Sequence, residues 1–275
     1  MQKRTLIASL HESFSSIRMV DFLGLVLIVL ISIVPPFVYL IWVRNADMCR
    51  PESMGSVLMA FSFAAIASLG AAFVIESLLV DALYAPGSVL SRGIWGIPPN
   101  DQNLQLVILA VFIAPVVEEF TKSWAVLFMR PRLNEIEDGL VYGAAAGLGF
   151  AAVENILYNG SALIQGTEVF LVVAISRALT STLLHASATA ITGYGIGLSK
   201  FHKMEGHPRS WALYLMGAVV LHGLFNLFAI MGNFAPDVGL VSLIGLILSF
   251  LLAWIVFYWI RASIKRLDRV NGCLR

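Results

Sequence analysis

Apolar residues fall in seven long runs that short polar stretches separate. The runs cover about residues 22–43, 55–80, 103–128, 138–159, 168–198, 211–231 and 239–260. An α-helix needs about 20 apolar residues to cross the hydrocarbon core of a bilayer, and each run is long enough. The pattern therefore predicts an all-α fold, a polytopic transmembrane helix bundle with about seven spans.

The connections between the runs indicate one unit. No spacer has the length or composition of a domain linker, so residues 1–275 are expected to form a single transmembrane domain with its core at about 103–231. The segment 81–102, which contains Pro, Gly and Trp95, is expected to lie at the membrane interface.

Composition agrees with a membrane location. Only 13% of the residues are charged, against about 25% in soluble domains, so the lipid bilayer is the expected partner and no nucleic acid is expected. Most Lys and Arg residues lie after the first, third, fifth and seventh runs. This bias predicts a multi-pass protein of the cell membrane with a cytoplasmic C-terminus. The oligomeric state stays open.

Ionisable residues interrupt four of the predicted spans. Glu118 and Glu119 lie in the third span, Glu154 in the fourth, His185 in the fifth and His222 in the sixth. A charged side chain at membrane depth costs roughly 2.5–3.5 kcal/mol on insertion scales, and such residues usually mark function. Counted along the helices, these groups fall within a layer of about 10 Å. We therefore expect a buried polar site between helices 3 to 6.

Spacing along the helices supports this convergence. Lys122 follows the two adjacent acids by four and three residues, which brings its ammonium to the same helix face. Gly139, Gly143 and Gly147 recur every four residues in the fourth span, which allows another helix backbone to approach closely. Glu76, near one end of the second span, is expected at the interface.

The residue types fit peptide hydrolysis, which needs an activated water, a base and donors for the oxyanion. Catalytic zinc sites often hold the ion with three protein ligands such as two His and one Glu, although no HExxH motif is present. We therefore expect zinc, with the following roles: metal ligands Glu154, His185 and His222; base Glu118, with Glu119 second; oxyanion donor Asn226; supporting residues Lys122, Arg177 and Tyr158.

These residues also resemble the PrsW family of intramembrane proteases, within the superfamily of CAAX-prenyl proteases. The matching pieces are Glu118-Glu119-x-x-Lys122, Phe150-x-x-x-Glu154-Asn155, His185 and His222-x-x-x-Asn226. Together they cover about residues 110–230. The resemblance implies a membrane-buried protease whose substrate is a membrane-anchored protein, and it suggests site-1 cleavage of an anti-sigma factor.

Other interpretations stay open at this point. Buried Glu and His chains also mark ion routes, so a transporter or ion pathway is one alternative, and a scaffold subunit of the same superfamily is another. Structural roles are also open: Lys122 and Arg177 would neutralise the adjacent acids, Glu154 would be a protonated helix contact, and Asp138 would cap its helix.

Overall fold

A computed structural model describes residues 2–85, 87–88, 102–206, 210–234 and 239–270 of the chain. At residues 2–21, 84 and 102 it describes the backbone alone. The described chain is helical, as predicted. Its ten α-helices are α1 Gln2–Arg44, α2 Met54–Phe63, α3 Leu69–Tyr84, α4 Gln102–Val107, α5 Ala114–Met129, α6 Ile136–Gln165, α7 Thr167–Leu179, α8 Ser181–Met204, α9 Ala212–Ile230 and α10 Gly239–Val270.

Short irregular turns join several of these helices. π-Helical turns connect α2 to α3 at Ala64–Ser68 and α4 to α5 at Ile108–Ile113, and 3₁₀ turns follow α5 at Arg130–Arg132 and α9 at Met231–Phe234. The chain therefore continues helically through the second and third spans.

Seven segments of the described chain are long and apolar enough to cross a membrane, which confirms the predicted number. They are Phe22–Arg44, Met54–Leu83, Asn103–Arg132, Ile136–Gln165, Thr167–Met204, Ala212–Phe234 and Gly239–Val270. The expected interfacial loop 81–102 lies mostly outside the described residues, and its first residues belong to α3.

The fifth span consists of two helices, α7 and α8. It breaks at Thr180, whose φ of −126° and ψ of −73° separate α7 from α8. The Thr180 hydroxyl donates to the carbonyl of Ser176 at 2.8 Å, a local bond that competes with helical geometry. The turn before α7 is at Gly166, whose φ of 138° favours glycine.

The close pair α6 and α8 forms the centre of the bundle. Gly139, Gly143 and Gly147 of α6 lie directly against α8 backbone, so that a Cβ at any of them would collide with it. At Gly147 the atom in the way is the carbonyl oxygen of His185. The predicted glycine groove is therefore present, and it sets how closely His185 approaches α6.

The N-terminus of α6 is capped as predicted. The Asp138 carboxylate accepts the backbone N–H groups of Asn134 at 2.5 Å and Glu135 at 2.9 Å, within a capping box. This fixes where the fourth span enters the bundle.

Candidate active site

Carboxylates and imidazoles from four helices meet in one cluster. Glu118 Oε2 lies 3.8 Å from His185 Nδ1 and 3.9 Å from His222 Nε2. The two imidazole rings are nearly perpendicular, with centroids 4.9 Å apart. The helices are α5, α6, α8 and α9, which belong to the third to sixth spans, so the predicted convergence is confirmed.

The ammonium of Lys122 lies within this cluster and is completely buried. Its Nζ donates to Glu118 Oε2 at 2.9 Å, to Glu119 Oε1 at 2.9 Å and to His185 Nδ1 at 2.7 Å. The Phe150 ring lies below it, with its centroid at 4.1 Å. An ammonium has three N–H donors and no acceptor, so all three donors are used and His185 Nδ1 must be the acceptor. The His185 proton therefore resides on Nε2.

Glu119 is fully buried and all its contacts are internal. Its Oε1 accepts from Lys122 and from His222 Nδ1 at 2.9 Å, and its Oε2 accepts from the Thr189 hydroxyl at 3.0 Å. A carboxylate that binds one imidazole nitrogen fixes the ring and its tautomer. Glu119 thus turns Nε2 of His222 toward Glu118, which favours a positioning role over the predicted role as a second base.

Glu154 orients the other histidine. Its Oε2 accepts from His185 Nε2 at 2.9 Å and from Arg177 Nη2 at 2.5 Å. The Arg177 guanidinium stacks on the Tyr158 ring at 4.0 Å and also donates to Asn155 Oδ1 at 2.7 Å. The alternative in which Arg177 neutralises the adjacent acids is wrong, because its carboxylate partner is Glu154.

The donors suit a divalent ion, with one change from the prediction. Ligand atoms of Glu118, His185 and His222 all lie within 4.8 Å of one another, the one such group among the described residues. Two imidazoles and a carboxylate are a common ligand set of catalytic zinc, and His222 Nε2 carries a free lone pair because Nδ1 holds the proton. The set therefore fits a metal in kind and spacing, and its carboxylate is Glu118 rather than Glu154.

A cavity of about 480 Å³ reaches the cluster. Glu118, Glu154, His185, His222 and Asn226 all line it, and most of the remaining wall is apolar. Glu119 is absent from this wall. Glu118 is therefore the carboxylate that belongs both to the metal-ligand group and to the cavity surface.

Asn226 is anchored to the irregular turn that precedes α5. Its Nδ2 donates to the carbonyl of Ala110 at 2.8 Å, and Ala110 belongs to the π-helical turn Ile108–Ile113. One N–H of the amide is thereby engaged. The other N–H has no acceptor among the described residues, and it remains available to a group in the cavity.

Two residues of the site escaped the sequence analysis. Glu76, which was expected only as an interfacial residue, lines the cavity, and its buried Oε1 has no hydrogen-bond partner among the described residues. Thr189 binds Glu119. The i, i+4 spacing from His185 to Thr189 was a signal for the second, whereas nothing in the local pattern around Glu76 distinguishes a cavity wall from an interface.

Comparisons with known proteins agree with this geometry. The profile of the PrsW family intramembrane metalloproteases matches residues 52–260. The chain is 37% identical to Protease PrsW of Geobacillus kaustophilus over 120 residues, 42% of this chain and 50% of the relative. It is 27% identical to Protease PrsW of Clostridioides difficile over 204 residues, 72% of this chain and 76% of the relative.

A third relative, Protease PrsW of Bacillus subtilis, is 31% identical over 119 residues, 42% of this chain and 51% of the relative. The chain thus spans about half the length of the Geobacillus and Bacillus proteins that it matches. No solved structure matches it.

Proposed function

The chain belongs to the PrsW family of intramembrane metalloproteases, and from this premise we propose that it hydrolyses peptide bonds of membrane-anchored proteins within the bilayer. The observation that carries the proposal is the position of Glu118. Its carboxylate faces a cavity in which the two imidazoles lie within 4 Å of it. A general base, its orienting groups and space for a peptide are thus together.

Glu118 is the base. The Lys122 ammonium donates to its Oε2 at 2.9 Å and fixes the orientation of the carboxyl group. The other oxygen has no hydrogen-bond donor among the described residues, so it can accept a proton from a water in the cavity. A positioned general base typically contributes about 10²–10⁴-fold to the rate.

The remaining steps use groups on the same wall. As Glu118 takes the proton, the water oxygen bonds to the carbonyl carbon of the peptide and the carbonyl oxygen becomes an oxyanion. The second N–H of Asn226 donates to that oxyanion. The C–N bond then breaks, and Glu118 returns the proton to the leaving amine.

Zinc is the ion that this donor set would hold, on Glu118, His185 and His222. When bound, it would act as a Lewis acid toward the attacked carbonyl and the water. Glu119 and Glu154 would keep the two imidazoles oriented, because Glu119 accepts from His222 Nδ1 and Glu154 accepts from His185 Nε2. In each ring this is the nitrogen that would not bind the ion.

The substrate class follows from the location of the cavity. A cavity between membrane-spanning helices suits a peptide bond in or near a transmembrane segment, and a membrane-anchored anti-sigma factor is the candidate that the family resemblance suggested. We propose a cytoplasmic C-terminus, because most Lys and Arg residues lie in the connections on the same side of the bundle as the C-terminus. Fusions to the C-terminus test this orientation. If the C-terminus is cytoplasmic, a fused green fluorescent protein should fluoresce, whereas a fused alkaline phosphatase, which is active only outside the cytoplasm, should be inactive.

The test of the activity does not require a known substrate. New protein N-termini are enriched and sequenced from cells that carry the wild-type chain or Glu118→Gln. Termini within or near transmembrane segments should appear with the wild type and disappear with Glu118→Gln. Glu168→Gln serves as the matched control, because Glu168 is an exposed acid in the first turn of α7. If no membrane-protein terminus depends on Glu118, the proposal is wrong.

The transport alternative keeps one supporting observation, the break of the fifth span at Thr180, since broken helices line the sites of many transporters. Proteoliposomes distinguish the two functions. Ion flux that survives Glu118→Gln with no cleaved product in the terminus comparison would favour transport.

A further inference from the structure

We propose that the Lys122 ammonium and a divalent metal ion are alternative occupants of one position in the cluster. The ion binds to all three donors only after Lys122 has left Glu118 and His185. The inference rests on the site of the proposed function, but it concerns occupancy and does not depend on cleavage.

The distances lead to this exclusion. Glu118 Oε2 and His185 Nδ1 are 3.8 Å apart, so an ion about 2.1 Å from each of them would lie near the midpoint between them. Lys122 Nζ is 2.9 Å from the first atom and 2.7 Å from the second, which places it about 2 Å from that midpoint. The ion would thus lie no more than about 3 Å from the ammonium nitrogen, a separation at which two cations repel strongly.

Chemistry excludes sharing of the position. The ammonium nitrogen has no lone pair, so it cannot join the ligand sphere as a fourth donor. Two of its three N–H groups point at the lone pairs that the ion would need, on Glu118 Oε2 and His185 Nδ1. Each cation therefore binds at the expense of the other.

The structure also provides a way for Lys122 to leave. Glu119 Oε1 accepts from Lys122 at 2.9 Å and does not belong to the metal-ligand group. Lys122 can thus give up two partners and keep a carboxylate beside it. An ion held by Glu118 and His222 alone would avoid the lysine, but it would lack the third donor that catalytic zinc sites use.

Zinc binding to three purified proteins tests the exclusion: wild type, Lys122→Met and Lys122→Arg. Methionine has a similar length without charge or donors, whereas arginine keeps both. Lys203→Met is the matched control, because Lys203 is an exposed lysine outside the site. Equilibrium dialysis with elemental analysis gives the affinity, and the absorption of added Co²⁺ reports the ligand geometry.

We expect Lys122→Met to bind one equivalent of zinc about a hundredfold more tightly than the wild type, or better, because a buried competing cation has been removed. Lys122→Arg and Lys203→Met should behave like the wild type. The gain should disappear when His185→Ala is added to Lys122→Met, since that removes a ligand.

Two results would overturn the proposal. In one, wild type and Lys122→Met bind zinc equally well; in the other, neither binds it. If Lys122→Met does not fold, the double variant Glu119→Gln with Lys122→Met removes one charge of each sign and keeps the three donors, and the same comparison applies to it. Failure of the protease proposal would appear separately, as membrane-protein termini that do not depend on Glu118.

Discussion

Replacing Glu119 by Gln tests whether the two adjacent acids differ in role, as the different surroundings of Glu118 and Glu119 lead us to expect. The substitution keeps the shape of the side chain and removes its charge. Glu119 accepts three hydrogen bonds, from Lys122, His222 and Thr189. A glutamine has one acceptor oxygen and one donor group, so it cannot accept all three.

The expected loss of stability differs between the two acids. Breaking a buried ion pair typically costs 3–5 kcal/mol, and because Lys122 keeps Glu118 we expect about 3 kcal/mol for Glu119→Gln. Glu118 accepts one strong hydrogen bond and lies on the cavity wall. Glu118→Gln leaves Lys122 paired with Glu119, so its cost should be about 1 kcal/mol, the value of one hydrogen bond.

The free energy of unfolding can be measured for both variants in mixed micelles by titration with SDS, followed by circular dichroism. Cleavage is measured in parallel on the termini identified for the wild type. Glu118→Gln should be nearly as stable as the wild type but inactive, whereas Glu119→Gln should lose stability and much of its activity together.

Equal stabilities of the two variants would refute the assignment of Glu119 as the internal partner. Full activity of Glu118→Gln with an inactive but stable Glu119→Gln would show that the bases had been assigned in the wrong order.

Further predictions concern packing and pH. Gly147→Ala should cost about 1–3 kcal/mol of unfolding free energy and reduce cleavage, because a Cβ there collides with the His185 carbonyl. Gly160→Ala on the same helix is the control. It has open space around it and should be neutral or slightly stabilising. Burial raises the pKa of Asp47, as does the nearby Asp268, although the backbone N–H groups of Arg50 and Cys49 oppose them. The stabilising contribution of protonated Asp47 is therefore lost as the pH rises through the raised pKa. In thermal unfolding, the stability of Asp47→Asn should fall less with rising pH than the stability of the wild type. Parallel curves of stability against pH for the two proteins would contradict this.

The spans were predictable because the bilayer constrains each segment of the chain separately. Each segment of about 20 residues must satisfy its backbone hydrogen bonds within itself, so hydropathy along the chain is sufficient to locate it. The glycine groove was predictable for a similar reason, since the i, i+4 spacing of Gly139, Gly143 and Gly147 depends only on helical periodicity.

The break at Thr180 was not predictable in this way. A threonine in an apolar run is compatible with a continuous helix, and the break depends on how α7 and α8 pack against α6. Glu76 shows the same limit, because its place on the cavity wall depends on the neighbouring helices.

The amino-acid sequence by itself determined that this chain spans a membrane, and that acids and imidazoles of four spans lie at a common depth. Only the tertiary structure decided which carboxylate has which partner: Glu118 on the cavity, Glu119 behind His222, and Glu154 between His185 and Arg177. Helical periodicity sets the depth of a residue along its helix and its approximate face. The hydrogen-bond partner of its side chain depends instead on how each helix is rotated about its axis and how far apart neighbouring helices lie. Differences of a few ångströms in those quantities decide which carboxylate faces the cavity and which is enclosed.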